Sequence, residues 1–68
     1  MPDGPYGLTP RELLILRMLA NGASSREIAR LHWMERNTVH DDIKNILLKM
    51  GVANQRDAVS AAHEAGIA

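Results

Sequence analysis

Two adjacent aspartates lie in the stretch NTVHDDIKNIL, residues 37–47, among histidine, lysine and asparagine side chains. Neighbouring carboxylates could serve acid–base catalysis, but on a helix Asp41 and Asp42 would point about 100° apart, so they cannot act as a carboxylate pair. Displayed along one helix face, the same residue types could instead donate and accept hydrogen bonds at the edges of DNA bases.

Other reactive groups do not form a recognisable catalytic or metal site. The three histidines, His32, His40 and His63, lack a close metal-ligand spacing, and the chain has no cysteine. Ser24 and Ser25 have the character of helix-capping residues, and no glycine-rich phosphate-binding motif is present. The sequence therefore predicts a protein that is not an enzyme and that uses no metal and no cofactor.

Composition indicates one small domain. The chain has 68 residues, with eight basic and eight acidic side chains and no phenylalanine, so the core must be aliphatic. No apolar run reaches the roughly 20 residues of a membrane span, and the start MPDGPYG lacks the features of a signal peptide. We therefore expect a cytoplasmic protein with no membrane contact. Its balanced charge means that any binding of nucleic acid must depend on the local field of one face.

Capping signals and apolar periodicity predict an all-α domain of four helices. Thr9 with Glu12 and Ser24 with Glu27 are capping boxes, and Gly51 is a helix stop. The predicted helices cover about residues 10–20, 25–32, 36–50 and 55–65. Proline and glycine in residues 1–7 predict a flexible N-terminal arm, which leaves residues 8–68 as the domain.

The third predicted helix has two different faces. Its buried stripe consists of Val39, Ile43, Ile46, Leu47 and Met50, which recur at helical spacing. Asp41 lies almost opposite that stripe, and Asp42 lies toward the side. The predicted exposed face also contains Asn37, Lys44, Asn45 and Leu48.

Three blocks of the sequence, LTPRE, REIA and KMGVANQRDAV, closely resemble the LuxR-type helix-turn-helix domain, including its small GerE-like stand-alone members. The resemblance covers about residues 8–66. Met1 and the ending EAGIA suit a complete small protein, although an excised domain would have the same appearance.

The resemblance implies a DNA-binding transcriptional regulator that reads double-stranded DNA through the third helix. The implied base-facing positions are His40, Asp41 and Lys44, to which the predicted exposed face adds Asn37 and Asn45. At His40 the family has lysine, at Asp41 an apolar or small polar residue, and at Asp42 histidine. An aspartate in the major groove can accept a hydrogen bond from the cytosine N4 amino group, but it also repels phosphate.

Affinity must then come from contacts with the DNA backbone. The predicted phosphate contacts are Arg26, Arg30, Arg36, Thr38, Lys49 and Arg56. The resemblance also implies a homodimer formed through the fourth helix, with Val59, Ala62 and His63 as the predicted contact residues. A two-fold dimer would bind an inverted repeat.

The predicted turn between the second and third helices, His32-Trp33-Met34-Glu35, departs from the family's usual Leu-Gly-Ile-Ser. Trp33 is interpreted as an apolar plug over a repacked turn, with an exposed contact to DNA or a partner as the alternative. His32, at a usual core leucine position on the same face as Ile28 and Leu31, could be a neutral buried imidazole. Glu35 should cap the third helix less well than serine.

A second hypothesis keeps the fold and changes the partner. The zero net charge and the two aspartates would also suit a module that binds another regulator or RNA polymerase through the third helix. The capping pattern and the NTV segment do not distinguish the two hypotheses.

Overall fold

The computed structural model of the chain describes residues 5–67, which contain four α-helices and no strand. The all-α prediction is confirmed. The first and third helices have the predicted bounds, and the second and fourth each end one residue earlier than predicted. The helices are α1 Pro10–Ala20, α2 Ser25–Leu31, α3 Arg36–Met50 and α4 Gln55–Glu64.

The segment before α1 is partly ordered. Residues 5–7, expected to belong to a flexible arm, form a short 3-10 turn in which the Leu8 backbone N–H donates to the Pro5 carbonyl at 3.0 Å. This turn leads into Leu8, whose side chain is fully buried. Residues 1–4 of the predicted arm, and residue 68 of the predicted domain, lie outside the described residues.

Side-chain caps begin three of the four helices. The Glu12 backbone N–H donates to the Thr9 hydroxyl at 3.1 Å, and the Thr9 backbone N–H donates to the Glu12 carboxylate at 2.9 Å. Ser24 and Glu27 form the same reciprocal pair at the start of α2. At α4 the side chain of Asn54 accepts from the backbone of Asp57. These caps satisfy N–H groups that a helix start leaves without partners, and the two reciprocal pairs are the predicted capping boxes.

The two ends of α3 are formed differently. Glu35 precedes the helix and makes no side-chain cap bond, which confirms that it is a poor cap. Gly51 ends the helix in the left-handed region with φ 69°, a conformation that glycine adopts without steric cost. The first turn of α3 therefore lacks the side-chain cap that the other three helices have.

The hydrophobic core draws on all four helices and on both flanking segments. Small residues at two fully buried positions of α4, Ala58 and Ala62, allow that helix to approach α1 closely. The buried apolar side chains are Leu8, Ile15, Leu16, Leu19, Ile28, Ala29, Val39, Ile43, Ile46, Met50, Ala58, Ala62 and Ile67.

One charged residue is buried with this core. Glu12 is only 6% exposed, and its carboxylate accepts a 2.7 Å hydrogen bond from the Lys49 ammonium group of α3. Burial raises the pKa of the Glu12 carboxyl, but the hydrogen bonds from Lys49 and Thr9 and the positive charge of Lys49 together outweigh burial, so the pKa lies below its ordinary value. Glu12 therefore joins the N-terminal cap of α1 to the last turn of α3.

The turn between α2 and α3 differs from its prediction. Trp33 is 96% exposed and has a positive φ of 55°, so its interpretation as an apolar plug is wrong. Leu31 is 60% exposed, and His32 is exposed at the C-cap of α2 with its Nε2 3.1 Å from the Met18 sulfur. The reason is that α2 buries Ile28 and its neighbour Ala29; Leu31 points roughly 110° away from that pair, and the helix ends before His32.

Replacing Trp33 tests this turn. Trp33→Gly removes an exposed side chain and relieves a left-handed backbone conformation, so the free energy of unfolding should stay the same or increase by up to about 1 kcal/mol. Urea unfolding followed by circular dichroism measures the change. A loss of several kcal/mol, which is typical of an emptied core position, would contradict the exposed placement.

Acid should weaken the fold through Glu12. Because its pKa is lower in the folded chain than in the unfolded one, its stabilisation is present above the ordinary glutamate pKa of about 4.3 and is lost as the pH falls through the lower native value. Glu12→Gln should therefore unfold with a weaker pH dependence between about pH 6 and pH 3. The control is Glu64→Gln, which removes an exposed carboxyl group. Equal pH dependence in the wild type and Glu12→Gln would refute this role.

Candidate nucleic-acid interface

The outward face of α3 is mostly polar. Asp41 is exposed, and Val39 and Ile43 on the opposite side are buried in the core. Leu48, 73% exposed, is a large apolar side chain on this outer surface. The exposed residues of α3 include every predicted base-facing position, namely Asn37, His40, Asp41, Lys44 and Asn45.

His40 lies at the edge of this surface nearest α2. Its Nε2 atom is 3.2 Å from the hydroxyl of Ser25, the first residue of α2. The start of α2 and the first half of α3 therefore meet at one place. A ligand that contacts His40 would also be close to Ser25.

The two aspartates have different surroundings. Asp41 is exposed, whereas Asp42 is partly buried and its Oδ2 lies 2.8 Å from the Arg11 guanidinium group of α1. This oxygen is buried, and within residues 5–67 the ion pair is its one close polar contact, without a well-aligned hydrogen bond. The expected sideways position of Asp42 is observed, and its charge is directed into the protein.

The predicted phosphate contacts divide into two groups. Thr38 at the start of α3 is exposed, and so are the arginines of α2, α3 and α4. Lys49 is different because its ammonium group already donates to Glu12. This bond holds the Lys49 ammonium group against α1, to one side of the outward face of α3, so we omit Lys49 from the candidate interface. The exposed arginines are Arg26, Arg30, Arg36 and Arg56.

The three residues of α4 that were predicted to contact a second copy differ in exposure. Ala62 is fully buried against the core, so its side chain has no surface for a partner and its predicted role is corrected. Val59 is half-buried, and His63 is exposed and donates through Nε2 to the Ala20 carbonyl at the end of α1, at 3.0 Å. Val59 and His63 remain available for contact with a second copy.

Sequence reasoning missed two residues next to the outward face of α3. Arg11 pairs with Asp42, and Ser25 contacts His40; both contacts join residues far apart in sequence, so no local pattern indicates them. Within residues 5–67, no group of three or more histidine, cysteine, aspartate or glutamate side chains could hold a metal ion. No helix in that range is long and apolar enough to cross a membrane.

Comparison with known families gives a match over most of the chain. A family model described as bacterial regulatory proteins of the luxR family matches residues 6–62. The matched range contains α1, α2 and α3 and most of α4.

Individual relatives have regulatory names. The chain is 44% identical over 57 residues to the CsgBAC operon transcriptional regulatory protein of Escherichia coli (strain K12), an alignment that covers 84% of this chain and 26% of that protein. It is 40% identical over 60 residues to the HTH-type quorum sensing-dependent transcriptional regulator VjbR of Brucella abortus (strain 2308), covering 88% of this chain and 23% of that protein. The chain thus spans about a quarter of the length of these relatives.

Proposed function

The chain belongs to the luxR family of bacterial regulatory proteins, and we propose that it binds specific DNA sequences by inserting α3 into the major groove. The observation that carries this proposal is the outward face of α3, where five polar side chains able to contact bases are exposed along one helix. The family and its named relatives are regulators rather than enzymes.

The dimensions of α3 suit a groove. Its 15 residues give a length of about 22 Å at 1.5 Å per residue, and the major groove of B-DNA, about 12 Å wide, admits one α-helix. The buried stripe of α3 fixes which side faces outward. The base-facing residues in this proposal are Asn37, His40, Asp41, Lys44 and Asn45.

Asp41 supplies selectivity in this account. Its exposed carboxylate can accept a hydrogen bond from the cytosine N4 amino group, and it disfavours base edges that present only acceptors. The same charge repels the phosphates of any duplex. Asp41 therefore narrows the range of sequences bound and lowers the affinity for all of them.

Contacts with phosphate must offset that repulsion. Arg26 and Arg30 on α2 are exposed, and Arg36 and Thr38 at the start of α3 are exposed beside helix N–H groups that favour an anion. Arg56 at the start of α4 completes the proposed set. With no net charge on the chain, these local cations supply the attraction.

Two copies are proposed to bind together through α4. Val59 and His63 are the accessible members of the predicted contact, and a two-fold dimer would present two α3 helices about one DNA turn apart. The bound site would then be an inverted repeat.

A second function is favoured by one observation. Leu48, a large exposed apolar residue on the outward face of α3, would suit a contact with another regulator or RNA polymerase. This alternative keeps the fold and requires no DNA.

Selection of binding sites from a random duplex library at low salt tests the proposal, using the wild type, Asp41→Ala and Asp41→Asn. The wild type should enrich an inverted repeat. Asp41→Ala should lose the preference at one base pair in each half-site, and Asp41→Asn should change that preference from cytosine to adenine, because an amide pairs with adenine N6 and N7.

Other outcomes separate the alternatives. If both variants bind every duplex more tightly with unchanged preferences, Asp41 repels phosphate and reads no base. If the wild type binds no duplex, the DNA-reading proposal fails and the protein-partner function is favoured.

A further inference from the structure

Asp42 is held by a residue outside α3. Its side chain is 17% exposed, and its Oδ2 lies 2.8 Å from the guanidinium of Arg11, which is the second residue of α1 and is 55% exposed. The same guanidinium group lies 3.9 Å from the sulfur of Met34, in the turn that leads into α3. One arginine of α1 therefore contacts both α3 and the turn before it.

We propose that Arg11 is a positioning residue for DNA recognition, which neutralises Asp42 and fixes the orientation of α3 so that Asp41 is the acidic side chain presented to the groove. This inference rests on the proposed function. In it Arg11 acts through Asp42 and Met34, without touching DNA.

Electrostatics gives the first reason. An unpaired carboxylate on the side of α3 would lie within about one Debye length, roughly 10 Å at 0.1 M salt, of phosphates on either wall of the groove. An ion pair has no net charge, so it repels phosphate far less than a lone aspartate does. Arg11 thus removes one of the two charges that make the Asp41-Asp42 stretch unfavourable for DNA.

Geometry gives the second reason. The first turn of α1, which contains Arg11, is fixed by the reciprocal hydrogen bonds of Thr9 and Glu12. In contrast, α3 begins without a side-chain cap. Arg11 therefore connects this fixed helix start to the turn before α3, at Met34, and to the second turn of α3, at Asp42.

A double-mutant cycle with Arg11→Gln, Asp42→Asn and the double variant tests this role. The readout is the Kd for one fixed duplex and for a scrambled duplex at low salt, with the folded fraction checked by circular dichroism. The matched control is Arg17→Gln, which removes the same charge from α1 at a residue that bonds the Ile67 carbonyl. Asp42→Asn and the double variant leave no unpaired buried carboxylate, so they provide the test even if Arg11→Gln unfolds.

Arg11→Gln should weaken binding to both duplexes more than Arg17→Gln does, and Asp42→Asn should tighten binding to both. In the Asp42→Asn background, the loss caused by Arg11→Gln should be at least about threefold smaller than in the wild type, because Arg11 then has no carboxylate to neutralise. Equal losses in Arg11→Gln and the double variant would mean that Arg11 contacts phosphate directly. A changed preference at one base pair in Asp42→Asn would mean that Asp42 reads a base. Either result overturns the inference.

Additive effects on a wild type that binds DNA also overturn this inference and leave the proposed function intact. A wild type that binds neither duplex, and enriches none from the random library, overturns the proposed function and this inference with it.

Discussion

The first turn of α1 contacts α3 through two ion pairs. In one pair α1 supplies the cation, and in the other α1 supplies the anion. Arg11 meets Asp42 at 2.8 Å, and its neighbour Glu12 meets Lys49 at 2.7 Å. Asp42 and Lys49 are seven residues apart, which is about two turns along one side of α3. These two pairs fit one orientation of α3 against α1. If α3 were rotated or displaced, the mostly buried carboxylates would be left unpaired.

These pairs orient the helix, while the core supplies most of the stabilising free energy. Each fully buried aliphatic side chain contributes about 1.5–3 kcal/mol, whereas a partly exposed ion pair contributes about 0–1 kcal/mol. The core buries large side chains from three helices, among them Leu16, Ile28 and Ile46. The buried stripe sets which side of α3 faces the core, and the two ion pairs add contacts with α1 that a rotated α3 would lose. The outward direction of Asp41 therefore depends on both.

Much of the fold could be predicted because its signals are local. The capping pairs of Thr9 and Ser24 each join residues three apart, and the buried stripe of α3 repeats over about three turns. The α2–α3 turn was predicted wrongly at Trp33 and His32. With only seven residues, α2 has too few turns for periodicity to determine which side is buried, and propensity does not indicate that a tryptophan adopts a positive φ.

The candidate interface was predictable in one respect only. Exposure on α3 follows from periodicity, so the outward positions of Asp41 and Lys44 could be inferred. The partner of a charged side chain is set by the packing of distant segments. For that reason the contacts of Lys49 with Glu12 and of Asp42 with Arg11 could not be inferred from the sequence. Periodicity placed Asp41 on the outward face and Asp42 toward the side, and the structure adds that Asp42 is paired with Arg11.

The most direct test of the central claim, that the outward face of α3 enters the groove, is a nuclear magnetic resonance titration of the ¹⁵N-labelled chain with duplex DNA taken from its selected site. The account predicts that the largest amide shifts fall on Asn37, Asp41, Lys44 and Asn45, with smaller ones at the start of α2. Shifts confined to α4 or to the α2–α3 turn, with α3 unchanged, would contradict it.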